Sequence, residues 1–262
     1  MREDLISNLL PVHGEAIDPV AMARRDLKKA LPKRFYKEAR AKARDGAFVL
    51  TLDGKPARTP GRNAVALPNQ AAGDAVAAEW ATQGEFIEPW TMPMTRLVNS
   101  ALDGVVRDME PVRAEIVKYA GTDLLCYRAG EPEALVAAQR EAWEPVLAAA
   151  REKLGADFAV SSGIAFVAQP ESAMEAVRKA VAAVRRPLPL TALHLMTTLT
   201  GSAILALATA LGWLSPEVAW VAAHIDEDFQ TRSWGEDEQA SARRAQRWLE
   251  MAAAARLYAL TA

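Results

Sequence analysis

LHLMTTLTGSAILALATALGWL, residues 193–214, is the stretch whose reading decides the fold. No charged residue occurs between Arg186 and Glu217, and one helix through this segment would be long enough to span a bilayer. Against insertion, Thr191, Thr197, Thr198, Thr200, Thr209, Ser202, His194 and the opening Pro187 and Pro189 dilute its hydrophobicity, and no basic cluster follows it. A helix apolar on every side that stays in water must be surrounded by other helices. The segment therefore reads as the centre of a helical domain, where each large side chain contributes about 1.5–3 kcal/mol on burial.

Around this centre the pattern is mostly helical from Met94 onward. TRLVNSALDGV, EPVRAEIVKYA and PEALVAAQREAWEPVLAAAREKLG read as successive helices, and Pro170 opens another. Ser215, Pro216 and Glu217 supply a cap, a proline at the first helical position and an acid in the first turn. The helix they start is expected to carry Val218, Ala222, Ile225 and Phe229 on one stripe, and a last helix is expected from about Asp237 to Leu260. Only ADFAVSSGIAFVAQ, with two short β-rich runs, interrupts the helical pattern.

Further upstream the period changes. In AFVLTLDGKPARTP, Phe48, Leu50 and Leu52 alternate with Val49 and Thr51 before Asp53-Gly54, which signals a tight hairpin whose return strand is Lys55 to Thr59. NAVALP follows as a short strand, and Asn69 caps a helix expected to end at Gly84. On it Val76 and Trp80 lie one turn apart, so Trp80 is read as the anchor of that helix to the sheet. The expected fold class is α+β. A strand-rich N-terminal domain covers 1–95, with 1–32 as a candidate flexible segment, and a helical domain covers 96–262 with a β-rich insertion near 157–168.

The chain has 262 residues, 51% hydrophobic and 24% charged, with a formal net charge of -2. No global field draws it to nucleic acid. The mean hides ten Lys or Arg between Arg24 and Arg44 against Asp26 and Glu38, a run read as a solvated face because no stacking aromatics or reading motif accompany it. The single cysteine, Cys126, excludes an internal disulfide and reads as a buried thiol. Residues 1–19 resemble neither a secretory signal nor a transit peptide, which points to a cytoplasmic protein with no stable membrane insertion.

No cofactor signature is present. The closest glycines, Gly54 and Gly61, are too far apart for a dinucleotide loop or a nucleophile elbow. Gly54-Lys55 is not a P-loop, since Val49 and Pro56 replace the required Gly and Ser or Thr. His224 and Asp228 lie one helical turn apart beside Glu227, but one face supplies two metal ligands at most. The expectation is no cofactor and no metal; an acid–base pair of Glu227 and His224 remains the enzymatic alternative.

The remaining signal is DEDFQTRSWGEDEQA, Asp226 to Ala240, where six carboxylates surround Phe229 and Trp234. Together with KRFYKEA, LDGKPARTP, AAEWATQ, MPMTRLVNSALD, TDLLCYR and EPEALVAAQREAWEPVL, this block makes the chain resemble the ATP-twelve-type assembly chaperones of the F-type ATP synthase, in their bacterial form, from Lys33 to about Arg244. The resemblance implies a non-enzymatic protein, a monomer when free, that binds the free alpha subunit of the synthase and holds it until it joins beta. After Trp234-Gly235 the chain reads Glu238-Gln239-Ala240-Ser241-Ala242 where mitochondrial members carry a Glu-Trp-Ala-His-Asp run, so no role at those later positions is carried over. Glu227, Gln230, Trp234, Gly235, Glu236 and Glu238 are assigned to a docking surface or its polar scaffold. The competing reading has Phe229 and Trp234 in the core and the acids merely solvated. Trp80, Gln83, Asp53, Gly54, Thr59 and Pro60 are read as structural.

Overall fold

The computed structural model describes residues 31–262 except Ile164 and Glu236, so the expectation of flexibility for 1–32 falls, but for its last two positions, outside the described residues. Two compact units are distinguished. The smaller joins Phe35 and the described residues before it to Gln83–Glu88. There Lys33 bridges Phe86 in antiparallel fashion, and the buried Gln83 side chain accepts from the Glu88 amide at 2.7 Å.

The larger unit, Tyr36–Thr82 with Pro89–Ala262, opens with two tight turns. β1 (Ala39–Arg44) and β2 (Ala47–Leu52) pair antiparallel around Asp45-Gly46, and β2 turns at Asp53-Gly54 into β3 (Lys55–Pro56). The central residues have φ of 51° and 80° at the first turn and 47° and 80° at the second, the primed geometry that favours Asp-Gly. Asp53 also accepts from the amides of Lys37 and Glu38 at 3.0 and 2.8 Å, fixing its turn to the start of β1. The second turn agrees with the sequence reading, although β3 is only two residues long and Arg58 pairs onward with Ala64 as an isolated bridge. β1 was hidden in the basic run. β4 (Ala66–Leu67) completes the sheet on β2, with Phe48 opposite Leu67.

α1 (Gln70–Ala81) packs on the Ala41 and Phe48 face of this sheet, capped by Asn69, whose side-chain oxygen accepts from the Ala72 amide at 2.9 Å. A Cβ on Gly73 would lie 2.6 Å from Ala41 Cβ, so only glycine permits so close an approach. The helix ends at Ala81, short of the expected Gly84, and the partner of Trp80 is Tyr36, their ring centroids 5.6 Å apart.

The helical part contains α2 (Pro93–Ser100), extended by one π-turn, α3 (Glu110–Gly121), β5 (Tyr127–Arg128), α4 (Glu133–Leu154), β6 (Ser161–Ser162) and α5 (Glu171–Ala182). β6 pairs parallel with β5, so the described part of the expected β-rich insertion contributes one short strand. The apolar segment is two helices, α6 (Pro187–Thr200) and α7 (Ala203–Ala210), broken where Gly201 takes φ 66°. Neither is long enough to cross a membrane, and among the described residues no helix is both long and apolar enough to do so. α6 is nevertheless the centre that the sequence predicts: it packs against α2, α3, α7 and the C-terminal helix α10 (Glu238–Thr261), with Leu190, Leu193 and Met196 fully buried. Its threonines survive burial by donating backward. Thr191, Thr197 and Thr200 bond the carbonyls of Pro187, Leu193 and Met196 at 2.8–2.9 Å, so no hydroxyl among them is stranded.

The break at Gly201 is held by Asp123, wholly buried, which accepts from the Ser202 hydroxyl at 2.6 Å and from the amides of Leu125 and Ile204 at 3.1 Å. Burial pushes its carboxyl up to about 6 against the opposing pull of these hydrogen bonds. A second, half-buried carboxylate acts likewise: Glu79 of α1 caps α2 by accepting from the amides of Met94 and Thr95 at 2.8 and 2.7 Å. At the sheet, Asp103 accepts from the Gly61 amide and the Asn63 side chain, both at 2.7 Å, and from Thr59, which seats the Thr59–Asn63 loop.

The helix expected from Ser215 is also two, α8 (Pro216–Ala223) and α9 (Ile225–Trp234), separated at His224. The expected stripe fails at its first member: Val218 is 53% exposed, while Ala222 and Ile225 are buried. Trp220 takes the inward position, its ring tilted against Trp248 of α10 at 5.8 Å between centroids.

Candidate functional site

α9 carries the acidic stretch. Asp226, Glu227 and Asp228 occupy its first turn, where the helix dipole favours negative charge, and Gly235 ends it with φ 96°, a conformation suited to glycine. Asp237 then caps α10, accepting from the Gln239 amide at 2.8 Å.

Two polar clamps hold α9 on the body. Asp226 accepts from Gln139 of α4 at 2.6 Å, and Gln139, 2% exposed, also accepts from the Ala129 amide at 2.8 Å. Behind it the Arg128 guanidinium stands 5.0 Å from the Trp143 ring centre, and Trp143 donates to the Ala222 carbonyl at 2.8 Å. The second clamp is a two-pronged ion pair from Arg244 of α10 to Asp228. With Asp226 and Asp228 engaged inward, the periodicity leaves Glu227, Gln230, Thr231 and Trp234 at i, i+3, i+4 and i+7 on one exposed face.

That face borders an open groove of about 540 Å³ between α9 and the start of α10, lined by Glu227, Gln230, Trp234 and Gly235 with Asp237 and Arg244. Trp234 is 84% exposed, which overturns the reading of it as core; Phe229 is half-buried, with Arg232 6.0 Å from its ring centre. An indole left in water on the same helix face as an exposed carboxylate is suited to contact with another molecule, being a large rigid surface with little rotamer entropy to lose.

Glu238 is exposed on α10 but is not among the groove residues, and Glu236 lies outside the described residues. Trp80, Asp53, Gly54, Thr59 and Pro60 belong to the α1 and hairpin region of the larger unit, and Gln83 to the smaller unit. His224 does not join Glu227 on the outer face. It is 3% exposed, its ring tilted against Trp220 at 4.0 Å between centroids and bonded through Nδ1 to the Trp220 carbonyl at 2.7 Å; burial lowers its pKa. Among the described residues no group of three or more His, Cys, Asp or Glu is arranged to hold a metal ion. Gln139 and Arg244 escaped sequence reasoning because nothing in their local sequence distinguishes them; their partners are 87 and 16 residues away.

The family model for the ATP12 chaperone protein matches residues 33–151, a match that ends before α9. The crystal structure of Atp12 from Paracoccus denitrificans is 40% identical and superposes with a TM-score of 0.82, covering 88% of this chain and 98% of that one. The Atu1473 protein of Agrobacterium tumefaciens is 45% identical with a TM-score of 0.85, over 93% of this chain and 91% of its own. The mitochondrial protein atp12 of Schizosaccharomyces pombe is 24% identical over 220 residues, 79% of this chain and 75% of the relative. With a fold, a length and a level of identity shared along nearly all of the Paracoccus protein, the chain belongs to the ATP12 chaperone family.

Proposed function

We propose that the chain is an assembly chaperone of the F-type ATP synthase that binds the free alpha subunit through the outer face of α9 and releases it to beta. The observation that carries the reading is the 84% exposed Trp234 sharing one helix face with Glu227 and Gln230, in a protein of this family. Alpha and beta alternate through heterologous contacts, and a lone subunit with such a face open associates wrongly or aggregates. Covering that face requires no nucleotide when the incoming beta subunit competes the chaperone away. The interface is then of standard size or smaller, with an aromatic anchor and a polar rim. Trp234 and Glu227 supply one of each.

The test is a sizing-column assay with purified alpha and beta subunits. The chaperone is expected to co-elute with alpha, to keep it soluble, and to ignore folded beta. Absence of an alpha complex from a folded, monomeric sample would defeat the proposal.

A further inference from the structure

From the outer face of the sheet, opposite α1, we infer a second docking surface, one that accepts an acidic, extended segment of a partner polypeptide. It is independent of the α9 reading. In the β1–β2 register Ala41 and Phe48 face α1, so Arg40, Lys42 and Arg44 project from the other side, together with Ala47 and Val49 of β2. On that side lies a shallow groove of about 410 Å³, floored by Ala47, Val49, Pro56 and Ala66 and edged by Arg44, its ion-pair partner Asp45, and Arg58.

Charge decides what fits there. Residues 37–66 hold seven Lys or Arg against three acids, in a chain whose formal net charge is -2. Glu38 pairs with Arg40 and Asp45 with Arg44, while Asp53 is engaged by backbone amides. Lys42 and Arg58 are exposed and have no carboxylate partner among the described residues; the one side-chain bond of Arg58 goes to the Arg62 carbonyl at 2.9 Å. Cations that a fold does not neutralise favour a negative partner by complementarity and by faster encounter.

The partner's class follows from the rest of the face. Single-stranded nucleic acid stacks its bases on aromatic side chains, and the groove lining contains none. A membrane surface is gripped by inserted large apolar side chains, and none of the exposed large hydrophobic residues lies in β1–β4. Small aliphatic flooring between cations instead suits an extended peptide backbone whose Asp or Glu side chains reach the rim.

The competing explanation is that these cations only guard β1 as an edge strand against pairing with another copy. A labelled deca-glutamate peptide, titrated into the full-length protein at about 50 mM salt, separates the two. Saturable binding that weakens with added salt, falls about tenfold in the Lys42→Glu/Arg58→Glu double variant and is unchanged in Trp234→Ala is the expected result. A folded wild type that does not bind, binding indifferent to the double variant, or preferential binding of oligo-dT or phosphatidylserine vesicles by the same residues would overturn it. So would a double variant that self-associates while the wild type ignores the peptide.

Discussion

Two regions of this molecule place carboxylates at the start of a helix and use them in opposite ways. Asp123 is wholly buried, and its oxygens are filled by Leu125 in its own turn and by Ser202 and Ile204 at the head of α7. Glu227 sits in the first turn of α9 with its side chain in water, two turns before an indole on the same face that is itself in water. The helix dipole favours both, by a few tenths to about 1 kcal/mol at an exposed site. What separates them is desolvation: a buried carboxylate is committed to its fold partners, whereas an exposed one keeps its hydrogen-bonding capacity for another molecule. Stability should therefore collapse when the first is cut and binding when the second is.

The largest effect is expected from Asp123→Ala. It leaves a buried hydroxyl and two buried amides without an acceptor, each worth about 1–3 kcal/mol, so a loss of about 3 kcal/mol or more in denaturant unfolding is expected; a loss below about 1 kcal/mol would break the comparison. The same group gives a pH signature. Its folded pKa is raised from the ordinary 3.8 to about 6, so between those values the folded chain holds a proton that the unfolded chain has lost. Its stabilising contribution is full below the lower value and declines as pH rises through the upper one. Wild type measured against Asp123→Asn, which does not titrate, should lose ground from about pH 4 to pH 6 and hold a constant difference above it.

Trp234→Ala should do the reverse. Removing a side chain that is 84% exposed should move stability by less than about 0.5 kcal/mol. As the anchor of a partner interface it should cost about 2 kcal/mol of alpha-subunit affinity, roughly thirtyfold, by titration of the complex. A variant that loses stability and keeps affinity would return Trp234 to the fold. Glu227→Ala sharpens the same point at a smaller scale. A rim carboxylate is worth about 0.2–1 kcal/mol, so a loss of up to about fivefold in affinity is expected, shrinking as salt is added.

What the sequence yields depends on the range of the interaction. Asn69 and Ser215 were readable as helix caps, Asp237 as the approximate start of the last helix and Asp53-Gly54 as a turn, because each is settled within four residues. Asp45-Gly46 carries the same turn signal, but it lies within a run whose cations dominate the local pattern and conceal β1 and with it the side of the sheet that faces away from α1. The breaks at Gly201 and His224 were less legible. Apolar periodicity continues through both, and what stabilises them is remote: Asp123 lies 79 residues before Ser202, and Trp248 packs on Trp220 while Val218 and Val221 of α8 face water. The acidic face shows the same limit. Composition singled out Asp226 to Glu238, but only the clamps from Gln139 and Arg244 sort its carboxylates into those that hold α9 and those that face water.

The smallest effect expected tests the interior without touching a carboxylate. Thr197 is fully buried in α6, and its hydroxyl donates to the Leu193 carbonyl at 2.9 Å. Thr197→Val removes that hydroxyl and adds a methyl of similar size. The Leu193 carbonyl retains its backbone partner in the helix, so no polar group is stranded, and the valine side chain is the more favourable one to bury. A change within about 1 kcal/mol, of either sign, is expected by denaturant unfolding. A loss as large as that of Asp123→Ala would mean that the α6 hydroxyls hold the core together as Asp123 does. The contrast drawn between the interior and α9 would then rest on polarity as such, and not on whether a buried group has been left without a partner.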